Sequence, residues 1–101
     1  MIVYNITLKI LPAIETEWVE WQKQEHIPDI MASGQFTEYR FYRLLDQNEP
    51  DGITYIIQYF ASSLDRYNEY INKFAPALRQ KAWERWGDQF IGFRTVMEVV
   101  N

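Results

Sequence analysis

The amino-acid sequence predicts one small α+β domain of the ferredoxin-like type, with its elements in the order β-α-β-β-α-β. The length of 101 residues suits a single domain, so we treat residues 1–101 as one unit. Alternating and helical hydrophobic periods follow one another along the chain in that order. The two halves are also similar in sequence. Each contains a glycine followed closely by a similar segment, Gln35-Phe36-x-x-Tyr39-Arg40 in the first half and Gln89-Phe90-x-x-Phe93-Arg94 in the second.

The first half of the chain predicts a strand followed by a helix that is interrupted late. Residues 2–11 alternate, and the apolar side chains that share one face are Ile2, Tyr4, Ile6, Leu8 and Ile10. A helix is expected to begin near Pro12, and its inward stripe comprises Ile14, Trp18, Trp21 and Glu25. Pro28 must end or kink this helix, and Gly34 is expected to close a short final turn.

The middle of the chain predicts an antiparallel hairpin. Residues 35–45 and 53–60 have the composition of strands, and the segment between them, residues 46–52, is rich in turn-forming residues. Because this turn is short, the two strands should pair with each other. Residues 89–100 are expected to form the fourth strand.

The second helix follows the hairpin. Ser62 or Ser63 is expected to cap its first turn. Its inward stripe comprises Leu64, Tyr67, Ile71, Phe74, Ala75, Leu78, Ala82 and Trp86. The stripe keeps its phase beyond Pro76, so we expect a kink there, and we expect the helix to end at Gly87.

The predicted topology leaves one face of the sheet without helices. Right-handed crossovers place both helices on the same face and give the strand order 4-1-3-2. On the other face, strand four should present Phe90, Arg94, Val96 and Val100. The first three strands should add a mixture of apolar and polar side chains, the polar ones being Asn5, Thr7, Glu38, Arg40, Thr54 and Gln58. Such a mixed face favours a symmetric homodimer, and the alternative is a monomer with an unusually apolar sheet face.

Composition limits the classes of function. The net charge of −4 provides no basic surplus for nucleic-acid binding. The absence of cysteine and the presence of one histidine, His26, make a zinc site improbable, so we expect no metal and no cofactor. No signal peptide and no apolar run of the ~20 residues needed to span a membrane is visible, so we expect a cytoplasmic protein without a membrane partner.

Three parts of the sequence carry a resemblance. They are Glu25-His26-Ile27-Pro28-Asp29-Ile30-Met31-Ala32-Ser33-Gly34-Gln35-Phe36, then Gly52-Ile53-Thr54-Tyr55 with Gln58-Tyr59, and Arg85-Trp86-Gly87-Asp88-Gln89-Phe90 with Phe93-Arg94-Thr95. Over nearly the whole chain they resemble an uncharacterised bacterial domain-of-unknown-function family. The resemblance implies a dimeric α/β barrel, the superfamily that includes antibiotic-biosynthesis-type monooxygenases, muconolactone isomerases and EthD-type proteins. The Glu-His-x-Pro segment also resembles the EthD-type pattern. No reaction is implied.

Glu25 and His26 are the candidate catalytic residues. Glu25 shares the helical stripe of Trp18 and Trp21, and a carboxylate held against apolar surface would have a raised pKa and could serve as an acid or base. Alternatively, the helix breaks toward Pro28 and Glu25 reaches solvent. His26 titrates nearest to neutrality and could accept a substrate proton, or it could simply bind backbone carbonyls at the kink.

Further residues are candidates for binding. Those proposed for a ligand are Asn5, Trp21, Tyr55 and Trp83. Those proposed for the dimer face are Arg40, Gln58 and Arg94. Two arginines beside amides could bind a carboxylate or phosphate, but Glu38 and Glu98 could instead pair with them across the dimer.

These features support more than one function. We favour a homodimeric small-molecule-binding domain. The first alternative is a cofactor-independent monooxygenase or isomerase of the antibiotic-biosynthesis or EthD type, and the second is a non-catalytic protein-interaction module. An enclosed cavity lined by converging polar groups would distinguish the first two from the third.

Overall fold

The computed structural model describes residues 1–46 and 52–101, which form four strands and four α-helices. The elements are β1 (Ile2–Ile10), α1 (Glu15–Trp21), α2 (Ile27–Met31), β2 (Glu38–Arg43), β3 (Ile53–Ala61), α3 (Leu64–Lys73), α4 (Ala75–Trp86) and β4 (Phe90–Glu98). The sheet is antiparallel with the order β2-β3-β1-β4, which confirms the predicted fold class and strand order. The predicted turn over residues 46–52 falls mainly on residues 47–51, which lie outside the described residues.

β1 is the centre of the structure because it pairs with both β3 and β4. Its alternation has the predicted phase, and Tyr4 and Leu8 lie opposite Tyr59 and Tyr55 of β3. Aromatic contacts join this face to both helical halves: the Trp18 ring lies 5.4 Å from that of Tyr55, and other rings pack around Tyr4. The core therefore lies between the helices and one face of the sheet.

The first helical region does not stop at Pro28. A 3-10 turn over Pro12–Ile14 leads into α1, and a π-helical turn over Gln22–His26 joins α1 to α2. The backbone N–H of Ile27 donates to the carbonyl of Gln22, five residues earlier. The wider turn adds one residue to the period and rotates the following side chains about the helix axis. Pro28 is the second residue of α2, and because the turn before it is already helical, its missing N–H removes one bond from the helical ladder.

The second helical region is broken where its proline predicted a kink. α3 ends at Lys73, Phe74 has a φ of −113°, and α4 begins at Ala75 directly before Pro76. The inward stripe is confirmed from Tyr67 onward. The expectation for Leu64 is wrong, because this residue is 52% exposed in the first turn of α3.

The predicted face of β4 is wrong by one residue. Arg94 lies opposite Ile6, and Phe90 lies opposite Ile10, so both are on the helix-covered face. The set Phe90, Arg94, Val96 and Val100 was expected on the uncovered face, where the structure instead places Ile91, Phe93, Thr95 and Met97. A shift of one residue exchanges the two faces of a strand. Arg94 therefore lies on the helix-covered side of the sheet, where its side chain stays largely exposed at the edge formed by β4.

The uncovered face has the mixed character that the sequence predicted. Gln58 Nε2 donates to Asn5 Oδ1 over 3.2 Å, and Arg40 forms an ion pair of 3.1 Å with Glu38 of its own strand. Exposed apolar side chains surround these groups: Ile91 (72%), Phe93 (62%), Tyr42 (44%) and Met97 (42%). No helix in the described part of the chain is long and apolar enough to cross a membrane.

The cap of α3 offers a test of the local structure. Ser63 Oγ accepts a hydrogen bond from the Arg66 N–H, whereas Ser62 makes no such cap. We expect Ser63→Ala to lower the free energy of unfolding by about 1 kcal/mol, because the first turn loses a partner for its N–H. Ser62→Ala is the matched control and should change it by less than about 0.5 kcal/mol. Urea unfolding at one protein concentration measures both, and equal effects would contradict the assignment of the cap.

Candidate functional site

A cavity of about 310 Å³ lies between the helices and the sheet. Its walls are mainly apolar and aromatic, and they include Ile6, Leu8, Trp21, Ile57, Trp83 and Phe90. Polar side chains converge on the same space from four elements: Gln22, His26, Tyr59, Arg79 and Arg94. Apolar walls with a few converging polar groups are typical of small-molecule sites, and the volume is at the lower end of their range of roughly 300–1,000 Å³.

His26 enters this cavity because of the π-helical turn. Its ring stacks on Trp21 with the centroids 4.5 Å apart and the planes at 17°, and its Nδ1 is buried without a hydrogen-bond partner. Burial lowers the pKa of His26 from 6.5 to about 4. The imidazole is therefore neutral at pH 7 and can accept a proton from a bound molecule.

The charged groups around His26 shift its pKa in opposite directions. Asp29 and Glu25 raise the pKa of His26, whereas Lys81 and Arg94 lower it, and all four effects are smaller than that of burial. Lys81 Nζ lies 2.9 Å from Asp29 Oδ2 and 3.4 Å from Glu25 Oε1, so one ammonium group engages both carboxylates. This cluster joins the first helical region to α4 at the surface above the histidine.

Gln22 and Tyr59 are functional candidates that the sequence analysis missed. Both side chains are nearly inaccessible, at 3% and 0% exposure, and both line the cavity. Gln22 Oε1 and the Tyr59 hydroxyl have no hydrogen-bond partner, and burial raises the pKa of Tyr59 well above its usual value. Tyr59 thus stays a donor, and Gln22 Oε1 stays an acceptor. A signal was present, because Gln22 follows Trp18 by four residues and Tyr59 shares the phase of Tyr55.

Arg79 and Arg94 bring positive charge to the cavity. Arg79 Nη2 donates to the Tyr4 hydroxyl over 3.2 Å, and Arg94 extends from β4 opposite Ile6. Within residues 1–46 and 52–101, neither guanidinium lies within ion-pair distance of a carboxylate. The sequence analysis missed Arg79, and it assigned Arg94 to the wrong face.

Three of the predicted catalytic and ligand residues meet in the cavity, and the other three do not reach it. Trp21, His26 and Trp83 line it together. Glu25 was predicted beside His26 as a catalytic residue, but its side chain is 49% exposed and paired with Lys81. The π-helical turn is the reason, since the extra residue turns Glu25 outward and His26 inward. The alternative stated for Glu25, a solvated position, is the one observed.

The remaining predicted ligand residues lie elsewhere. Asn5 is on the uncovered face, where it accepts from Gln58 and donates to Thr7. Tyr55 donates to Glu15 Oε2 over 2.6 Å at the start of α1, outside the cavity lining. The sheet separates Asn5 from His26, and these residues form no common site.

Comparison with protein families gives one match over almost the full length. The family described as Domain of unknown function (DUF4286) matches residues 1–100. Among curated proteins, none matches the sequence significantly.

Solved structures share the fold at low sequence identity. An ethyl tert-butyl ether degradation (EthD) family protein from Bacillus halodurans is 14% identical with a TM-score of 0.70, covering 99% of this chain and 100% of that one. SnoaB, a cofactor-independent oxygenase from Streptomyces nogalater, is 8% identical with a TM-score of 0.71, covering 99% and 94%. A dimeric ferredoxin-like protein from an uncultured marine organism is 13% identical with a TM-score of 0.67, covering 99% and 95%. These similarities establish the fold.

The buried histidine predicts a pH dependence of stability. Because the pKa of His26 falls from 6.5 in the unfolded chain to about 4 in the folded one, only the unfolded chain gains a proton between these values. Stability should therefore decrease as the pH falls through this window, by up to about 3 kcal/mol. In the His26→Gln variant, the decrease in stability that is caused by protonation of His26 in the unfolded chain should be absent.

Two measurements check this prediction. His26 is the only histidine, so proton NMR can follow its ring signals directly, and their midpoint should lie near pH 4. Urea unfolding of the parent chain and of His26→Gln between pH 7 and pH 4.5 gives the linked change in stability. A midpoint near 6.5, or parallel stability profiles for the two proteins, would contradict a buried neutral imidazole.

Proposed function

The chain belongs to the DUF4286 family, whose description assigns no activity, and from that premise we propose that it is a homodimeric small-molecule-binding domain. One observation carries the proposal. Three buried polar atoms without partners, His26 Nδ1, Gln22 Oε1 and the Tyr59 hydroxyl, belong to side chains that line one apolar cavity. Each such atom costs free energy in the folded chain. The three atoms have almost no accessible surface, so a ligand with complementary groups offsets that cost once the side chains around them move aside.

The homodimer is supported by the uncovered face of the sheet. Ile91, Phe93 and Met97 form an exposed apolar strip along β4, next to the paired amides of Asn5 and Gln58. A second copy of the chain would present the same strip and the same amides, as a symmetric interface requires. The marine-organism protein of similar fold is described as dimeric, and the resemblance to dimeric α/β barrels supports the same arrangement.

A cofactor-independent monooxygenase or isomerase is the second candidate, and the neutral His26 in the cavity favours it. With a pKa of about 4, the imidazole of His26 is a weak base, so it can take a proton from an acidic carbon of a bound substrate only where the enolate formed beside it raises that pKa. Tyr59 would donate a hydrogen bond to the enolate oxygen. An isomerase returns the proton at another carbon, and a monooxygenase exposes the carbanion to dioxygen. Two proteins of similar fold, described as an EthD family protein and a cofactor-independent oxygenase, are consistent with this candidate.

Filling the cavity tests ligand binding. Ala82 lines the cavity and is 7% exposed, whereas Ala77 lies on the exposed side of the same helix. A panel of bicyclic aromatic fragments should include compounds that bind the parent chain, as measured by NMR shifts of the tryptophan indole N–H groups. We expect Ala82→Leu to weaken this binding at least about tenfold, because the added methyl groups occupy the cavity. Ala77→Leu should leave it unchanged.

Ligand binding in the cavity would be contradicted if no fragment met two conditions. Its binding must be weakened by Ala82→Leu, and it must be unchanged by Ala77→Leu. Circular dichroism and urea unfolding show whether each variant keeps the fold, since overpacking a buried position costs about 1–3 kcal/mol.

A charge on the apolar strip tests the homodimer. We expect sedimentation equilibrium to give twice the chain mass of 12.2 kDa for the parent protein. Phe93→Arg should produce monomers, because it places two like charges in a symmetric apolar interface. Leu64→Arg is the matched control, since Leu64 is similarly exposed on α3, and it should remain dimeric. A monomeric parent chain, or a dimeric Phe93→Arg variant, would contradict the proposed interface.

A further inference from the structure

The arginines of the cavity differ from most other arginines of the chain. Arg40, Arg43 and Arg85 each lie 3.1 to 3.7 Å from a carboxylate. Arg79 and Arg94, by contrast, have no carboxylate partner in the described ranges 1–46 and 52–101, although acidic residues outnumber basic ones by 14 to 10. Two like charges therefore meet at one apolar cavity without a counter-ion from the described protein.

The positive charges of Arg79 and Arg94 affect the pKa values of residues beneath them. Arg79 and Arg94 both lower the pKa values of Tyr67 and Tyr70, against the stronger effect of burial, and Arg94 also lowers that of His26. The two guanidinium groups thus act on the same two tyrosines, of which Tyr70 is buried and Tyr67 is half-buried. An anion in the cavity would be attracted by both at once, and the apolar walls would strengthen that attraction relative to water.

The other walls indicate the shape of the anion. The stacked pair of Trp21 and His26 lines the cavity together with the rings of Trp83 and Phe90. Flat apolar walls suit a planar aromatic or conjugated molecule. A volume of about 310 Å³ suits a small one, with one or two rings.

We propose that the cavity binds a planar aromatic or conjugated carboxylic acid whose carboxylate is held by Arg79 and Arg94. Guanidinium groups match carboxylates geometrically and form charge-assisted hydrogen bonds with them. This assignment rests on the proposed small-molecule site and names the class of its ligand.

A pair of isosteric probes tests the assignment. Titration calorimetry compares 2-naphthoate with 2-naphthamide, which has the same ring system and no charge. We expect the acid to bind the parent chain at least about tenfold more tightly, since hydrogen bonds to charged groups are about twice as strong as neutral ones. The preference should shrink as the salt concentration rises from 0.05 M to 0.5 M.

Substitutions of Arg79 and Arg94 test whether these two residues cause the preference for the acid over the amide. Arg79→Gln and Arg94→Gln should each reduce the ratio of the two affinities at least about threefold, and the double variant should bind both probes about equally. Arg79→Lys and Arg94→Lys keep the charge and should retain an intermediate preference. Arg66→Gln is the control, because Arg66 is exposed on α3 outside the cavity lining, and it should bind like the parent chain.

The outcomes separate the two proposals. Equal binding of acid and amide by the parent chain, or a preference that survives in the double variant, would overturn the carboxylate assignment and leave the small-molecule site intact. If neither probe binds and no fragment responds to Ala82→Leu, both proposals fall. Ratios of affinities are measured within each variant, so a general loss of stability does not mimic the expected result.

Discussion

The π-helical turn over Gln22–His26 decides which side chains of the first helix reach the interior. With an α-helical period throughout, Glu25 would continue the stripe of Trp18 and Trp21 and would face the sheet as a buried carboxylate. The additional residue of the π turn places Glu25 at the surface, where it joins Lys81, and places His26 against Trp21. A costly buried charge is thereby replaced by a neutral imidazole. The chemistry of the cavity depends on this exchange.

The cavity itself is a departure from efficient packing. A small domain gains most of its stability from a filled core, and each unpartnered buried polar atom reduces that gain. Here Gln22, His26 and Tyr59 carry such atoms around one space instead of being scattered through the core. Trp18 and Trp86 have unpartnered indole N–H groups as well, but these residues do not line the cavity. The concentration at one place distinguishes a site from ordinary imperfection.

The sequence predicted those features in which the more apolar face is the one that packs against the helices, and it failed where tertiary pairing or packing overrides that pattern. In β1 only one of the two alternating sets is continuously apolar, so the buried face was evident. In β4 the odd set with Ile91, Phe93 and Met97 is more apolar than the even set, which contains Arg94 and Glu98, so the period favoured burying the odd set, whereas the structure places it on the uncovered face. The phase is set instead by pairing with β1.

The candidate site was predictable only in part for the same physical reason. Aromatic spacing brought Trp21 near His26, and the resemblance pointed to the same segment. A π turn depends on tertiary packing and leaves no period in the sequence, so the outward position of Glu25 was not predictable. The convergence of Arg79 and Arg94 depends on the register of β4 against β1, which joins residues that are distant in the chain.

β4 connects the two parts of the proposed function. The cavity is lined by its even residues Phe90, Gly92 and Arg94 and also by Ile91, and the odd residues Ile91 and Phe93 are exposed. The strand is a sheet edge, and all of its side chains beyond Phe90 are exposed. If a second copy covers the odd residues, it restricts the same backbone that positions Arg94. Ligand binding and dimer formation are then thermodynamically coupled, and by linkage each favours the other to the same extent.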